Sequence, residues 1–132
     1  MPDRKILVVE DEEDSMEFVR AVLEAEGTRL VWARDGGAGL KAARSERPDL
    51  IVLDVQMPKK DGFTVLVELK QDPDTQRIPV VMLTGVAERT GIRFSKTDLG
   101  NFIGVEPDAY VEKPVDPETL RSAVERLLGG RA

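Results

Sequence analysis

Five short apolar runs, Ile6–Val9, Leu30–Ala33, Leu50–Leu53, Val80–Leu83 and Ala109–Val111, recur along the chain at intervals of 20 to 30 residues. They are rich in β-branched residues and nearly continuous rather than alternating, the pattern of parallel strands buried on both faces. Helical patterns lie between most of them. Asp14-Ser15-Met16-Glu17 reads as an N-terminal cap with Glu at the third helical position, after which Phe18, Val19, Val22 and Leu23 repeat on one face until Gly27 stops the helix. A second helix is predicted from about Gly37 to Glu46, closed by Pro48, and a third carries Phe63, Leu66, Val67 and Lys70 with Pro73 just beyond. The last has Asp116 as N-cap, Pro117 at the first position, then Leu120, Val124, Leu127 and Leu128 before Gly129-Gly130. The stretch from Gly85 to Pro107 fits worst. Gly91, Gly100 and Gly104 punctuate it, Ile92 and Phe94 stand at a strand or loop spacing, and Leu99, Phe102 and Ile103 make one apolar helical turn. A loop with a short, displaced helix near residues 97–103 is predicted there, with a basic character from Arg89, Arg93 and Lys96.

Strand–helix alternation through five strands predicts an α/β fold, a doubly wound five-stranded parallel sheet with right-handed crossovers and an atypical region where a fourth helix would stand. At 132 residues the chain is one domain's worth, and 41% apolar with 33% charged residues suffices for a single core. Nineteen Lys and Arg against 25 Asp and Glu give a net charge of −6, which argues against direct nucleic-acid binding. With no Cys and no His there is no Cys or His nucleophile, no Ser-His-Asp triad, no disulfide framework and no zinc site of the usual ligands. A metal here must be a hard ion held by oxygen. The longest apolar runs are far too short for a membrane span, and Met1–Lys5 leads through one such run into five acids rather than a secretory h-region. The chain therefore reads as a cytoplasmic, acidic, single-domain protein over residues 1–132, with neither membrane nor nucleic acid as a partner.

In a doubly wound sheet, ligands bind outside the carboxyl ends of the strands. The first strand ends in Glu10-Asp11, the third in Asp54 and the fourth in Thr84, while the fifth is followed by Lys113-Pro114. Each has an ordinary explanation taken alone: an acidic run at a helix N-terminus is favoured by the dipole, an Asp can cap a turn, Thr suits a strand, and Lys beside Pro suits an exposed turn. Their convergence on one edge is what those explanations do not predict. Two carboxylates ~4 Å apart repel by about 4 kcal/mol at an effective dielectric of ~20, so three converging need a cation. Lys113 supplies one charge, and Mg²⁺ suits the remainder because it takes one or two carboxylates, keeps waters and leaves a position for a phosphoryl oxygen. With no His or Cys, the nucleophile for phosphoryl transfer is a carboxylate, and Asp54 is the best placed.

These residues resemble the receiver domain of two-component response regulators. The likeness runs through Arg4–Glu12, Ala33-Arg34-Asp35-Gly36 with Leu40, Asp54-Val55-Gln56-Met57-Pro58 continuing to Asp61-Gly62, Pro79–Gly85 and Asp108–Pro114. The resemblance implies the flavodoxin-like strand order 2-1-3-4-5. It implies that Asp54 is phosphorylated by a partner histidine kinase or phosphotransfer protein, in a reaction the domain itself assists, followed by slow autodephosphorylation. It further implies that Asp11, Asp54 and the backbone carbonyl of Gln56 bind Mg²⁺, with Glu10 holding the ion's waters. Lys113 would contact one phosphoryl oxygen, Thr84 would swing its hydroxyl toward another, and Tyr110 would be the switch aromatic that turns inward on activation. A cis Lys113-Pro114 bond would aim the ammonium back at the site. Lys59 and Lys60 depart from the small and apolar residues that the family more often carries.

Other readings are weaker. Gly37-Ala38-Gly39-Leu40-Lys41-Ala42 fits a dinucleotide fingerprint, but it follows the second strand and the remaining chain is short for that fold. A flavodoxin would meet phosphate with Glu10–Asp14, and a haloacid dehalogenase-type phosphatase would want Asp where Gln56 stands. The alternative from a different class is a receiver-like interaction module that is never phosphorylated. Such a module would be expected to lose the acceptor, the metal acid or the lysine, and this chain keeps all three.

Overall fold

A computed structural model describes residues 4–24, 27–55, 62–84 and 107–129. The five apolar runs form β1 (Arg4–Val9), β2 (Thr28–Ala33), β3 (Leu50–Asp54), β4 (Val80–Thr84) and β5 (Ala109–Glu112). All pair in parallel in the order β2-β1-β3-β4-β5, the flavodoxin-like arrangement. The helices among the described residues are α1 (Glu13–Leu23), α2 (Gly36–Glu46), α3 (Gly62–Gln71) and α4 (Pro117–Gly129). The short displaced helix expected near residues 97–103 lies outside the described residues.

The strands read as continuous apolar runs because their side chains alternate between two buried faces. Ile6 and Val8 of β1, Leu50 and Val52 of β3, and Val81 and Leu83 of β4 pack with Met16, Val19, Val22 and Leu23 of α1 and Leu120 and Val124 of α4. Leu7 and Val9, Ile51 and Leu53, and Val80 and Met82 pack on the other face with Leu40 and Ala43 of α2 and Val65, Leu66 and Leu69 of α3. This alternation also decides which polar residue at a strand end faces which layer.

Helix ends follow the sequence at the start of α4 and the end of α2, gain a cap at Asp35 that the sequence reading did not name, and depart from it at α1. Asp116 accepts from the Thr119 amide at 3.0 Å, and Asp35 accepts from the Ala38 amide at 2.8 Å, so both side chains cap the helices that follow them. Helix α2 ends as expected at Glu46, ahead of Pro48. Helix α1, however, starts at Glu13 and not after a cap at Asp14; Glu12 precedes it in extended conformation with no side-chain cap bond. The start is set instead by the turn before it, where the Glu12 amide donates to the Glu10 carboxylate at 3.1 Å. Packing on the sheet takes the face of Met16, Val19, Val22 and Leu23, while Phe18 is 37% exposed.

Two glycines set how closely helices approach the site-bearing strands. A Cβ on Gly39 would lie 2.8 Å and 2.9 Å from the Val9 methyls, so the glycine that suggested a dinucleotide fingerprint serves packing of α2 on β1. A Cβ on Gly62 would lie 2.5 Å from the carbonyl oxygen of Asp54 and 2.7 Å from Val55 Cα, both backbone atoms that cannot rotate away. Overpacking of this kind typically costs about 1–3 kcal/mol. Gly62→Ala is therefore expected at the upper end of that range in a urea melt, and Gly39→Ala below it. Unaltered stability in Gly62→Ala would remove the close approach of α3 to β3 as a constraint.

Candidate functional site

Strand parity carries Glu10, Asp54 and Lys113 to one side of the carboxyl edge, because each continues the alternation that points Val8, Val52 and Val111 at α1 and α4. Thr84 continues the opposite alternation, after Val80 and Met82. Tyr110 packs on that same second face and pairs in register with Met82, one step of β4 before Thr84. Glu10, Asp54 and the lysine thus share one layer, and the hydroxyl and the aromatic share the other.

Glu10, Asp11 and Asp54 each offer a carboxylate oxygen within 4.8 Å of the other two. Glu10 and Asp54 are 1% and 2% exposed, whereas Asp11 is half-buried. The Lys113 ammonium donates to Asp54 Oδ1 at 2.8 Å. Lys113 is delivered by the end of β5, where its amide donates to the Thr84 carbonyl at 2.6 Å, and the Lys113-Pro114 peptide is cis. The Thr84 hydroxyl is buried and has no hydrogen-bond partner among the described residues. Of the predicted site residues, Glu10, Asp11, Asp54 and Lys113 come together; Thr84 joins them through its carbonyl on the Lys113 amide, and Tyr110 is half-buried on the second face. Gln56 lies outside the described residues.

One ammonium against three carboxylates leaves the cluster short of positive charge. At 4.8 Å and an effective dielectric of ~20 each acid pair repels by about 3 kcal/mol. Burial pushes the Glu10 carboxyl up to about 8, with the Asp54 charge adding to the rise and the bond from the Glu12 amide opposing it. Glu10 Oε1 is buried without a hydrogen-bond partner among the described residues. An all-oxygen donor set with an orphaned buried oxygen and surplus negative charge fits a hard divalent cation.

Three features escaped sequence reading. The Trp32 indole donates to the Glu10 carbonyl at 2.7 Å, and Arg34 stacks over that indole at 4.4 Å. The Glu12 amide holds the Glu10 side chain. A groove of about 450 Å³, lined in part by Phe18, Val19, Pro114 and Val115, opens beside Glu10 and Lys113. A lone tryptophan near the end of an edge strand was the available signal for the first; the turn bond of Glu12 and the groove depend on backbone and packing geometry that residue types alone do not carry.

A doubly wound parallel sheet whose carboxyl edge gathers buried acids around a lysine defines an α/β domain with its candidate site at that edge. A family model described as the response regulator receiver domain matches residues 6–125, and the chain belongs to that family. It is 34% identical to the protein PilH of Pseudomonas aeruginosa over 126 residues, covering 96% of this chain and 98% of PilH. It is 40% identical to the alkaline phosphatase synthesis transcriptional regulatory protein PhoP of Bacillus subtilis, covering 96% of this chain but 49% of PhoP. Among solved structures, the signal receiver domain of a signal transduction histidine kinase from Syntrophus aciditrophicus is similar at a TM-score of 0.80 and 33% identity, covering 96% of this chain and 91% of that one. No helix among the described residues is long and apolar enough to cross a membrane.

The raised Glu10 carboxyl makes the metal-free protein pH-sensitive in a defined direction. Below about 4.5 Glu10 is protonated in both folded and unfolded chains; between 4.5 and about 8 only the unfolded chain releases the proton. Stability contributed at this residue should fall through that window by up to about 1.4 kcal/mol per pH unit. The stability gap between Glu10→Gln and wild type, measured by urea melts without divalent cations, should widen in the variant's favour as pH rises. Parallel pH profiles would show that Glu10 ionises normally.

Proposed function

We propose that this receiver domain takes a phosphoryl group on Asp54 from a phosphohistidine of a histidine kinase or phosphotransfer protein, with Mg²⁺ as cofactor, in the cytoplasm. The observation that carries this reading is the buried Asp54 carboxylate at the end of β3, held by Lys113 at 2.8 Å and grouped with Glu10 and Asp11 within 4.8 Å.

Asp54 attacks phosphorus in line with the donor nitrogen. The Asp54 O–P bond forms as the P–N bond breaks, and the electron pair returns to the donor imidazole. The donor histidine must come from another protein, since this chain has none. Lys113, already on the Asp54 carboxylate, offsets charge on the phosphoryl oxygens from its own side. Asp11 and Asp54, with the Gln56 carbonyl, would hold Mg²⁺, and Glu10 would hold its waters; when bound, the ion would supply positive charge to offset the acids and the phosphoryl oxygens. The buried Thr84 hydroxyl then donates to a phosphoryl oxygen. Because Tyr110 shares the face and neighbouring register of Thr84, movement of that hydroxyl makes room for the ring to turn inward. That rearrangement is the signal to a downstream protein. The groove beside Lys113, with Phe18 as the exposed large apolar side chain among the described residues, is where a donor protein would rest.

The direct test is incubation with Mg²⁺ and acetyl phosphate followed by intact mass measurement. Wild type should gain one phosphoryl group, stable in acid and labile in base, and Asp54→Asn should gain none. Wild type that never labels would favour the interaction-module alternative, and a fully labelled Asp54→Asn would move the acceptor elsewhere. Asp11→Ala should weaken Mg²⁺ binding by calorimetry and labelling together, while being no less stable than wild type without metal because like-charge repulsion is relieved. Unchanged Mg²⁺ affinity would take Asp11 out of the metal site.

A further inference from the structure

Beyond Val9, strand β1 must stop pairing so that Glu10, Asp11 and Glu12 can turn into α1. The Glu10 amide still donates to the Ala33 carbonyl of β2 at 2.9 Å. The Glu10 carbonyl instead takes the indole N–H of Trp32 at 2.7 Å. Trp32 pairs in register with Val8, so its side chain reaches forward along β1 by two residues to make this bond. The indole packs on the apolar layer of α1 and α4 and carries the Arg34 guanidinium 4.4 Å from its centroid. It is therefore held from both sides while it donates. Together with the Glu12 amide on the Glu10 carboxylate, these bonds tie the turn at its backbone and at its side chain.

The structure assigns Trp32 a positioning role: its indole N–H fixes the Glu10–Asp11 peptide so that the Asp11 carboxylate stands with those of Glu10 and Asp54 as a cation site. The peptide plane that begins at the Glu10 carbonyl ends at the Asp11 Cα, so whatever orients the carbonyl orients the path on which the Asp11 side chain departs. A cation site of few protein ligands depends on each being in place before the ion arrives, because the ligands otherwise reorganise at the expense of affinity. The assignment rests on the proposed metal site, and its test separates the two.

Trp32 is the chain's single tryptophan, which permits replacement by benzothienylalanine, an isostere with sulfur in place of the indole N–H. That variant and Trp32→Phe are compared with wild type for Mg²⁺ affinity by calorimetry and for stability by urea melts. Both are expected to bind Mg²⁺ roughly threefold to tenfold more weakly, the range for loss of one neutral hydrogen bond. Leu30→Ala, which trims the same apolar layer without touching this bond, should lower stability and leave Mg²⁺ affinity as in wild type. Equal affinity in wild type and the benzothienylalanine protein overturns the role of Trp32 while leaving the metal site standing. Affinity that falls equally in Leu30→Ala reduces Trp32 to a packing residue. Wild type that takes up no Mg²⁺ overturns the metal site itself, and the assignment with it.

Discussion

Three carboxylates held within 4.8 Å of one another at the end of a sheet form the constraint around which the rest of this domain is arranged. Two of them are almost fully buried, so solvent screens them poorly, and one lysine cannot balance them. Without a cation the protein lowers the charge by the remaining route, keeping a proton on Glu10 toward pH 8. A site strained by its own negative charge favours a bound cation over none. The electrostatic tension is the basis of the chemistry proposed for Asp54.

Sustaining that tension takes rigid surroundings. Strand β3 lies between β1 and β4, buried on both faces, so Asp54 leaves a backbone fixed from both sides. Gly62 brings the start of α3 onto the Asp54 carbonyl, and its amide donates to the Val55 carbonyl at 2.8 Å. The Glu10–Glu12 turn is tied to β2 through Ala33 and Trp32. Period-two alternation then separates Glu10, Asp54 and Lys113, on the α1 and α4 side, from Thr84 and Tyr110, on the α2 and α3 side. In the function proposed for this site, chemistry on one layer would be read on the other through the Thr84 hydroxyl near the strand end.

Where the sequence misled, the competing influence was tertiary. Asp14 followed by Glu17 has the residue types of a capping box, but the turn that seats Asp11 starts the helix at Glu13. The spacing of Phe18, Val19, Val22 and Leu23 suggested one apolar face, yet the helix is phased on Met16, which leaves Phe18 toward the groove beside Lys113. The glycines at 37 and 39 matched a phosphate-binding fingerprint by spacing, and Gly39 proved to be a contact with Val9.

The sequence by itself determined the five strands, the end of α2 at Glu46, the capped start of α4, and the delivery of Glu10, Asp11, Asp54, Thr84 and Lys113 to one edge. These follow from local rules: side-chain period, cap chemistry, and the direction of a chain that must cross over between parallel strands. The flavodoxin-like strand order came from likeness to a family and not from those rules. Only the tertiary structure decided that Lys113 bonds Asp54 across 59 residues of chain, that Trp32 serves the carbonyl of Glu10 across 22, and that burial raises the Glu10 carboxyl. Such facts depend on strand register, helix phase and depth of burial. Each is a distance between residues far apart in the chain, and a local pattern carries no information about a distance it does not span.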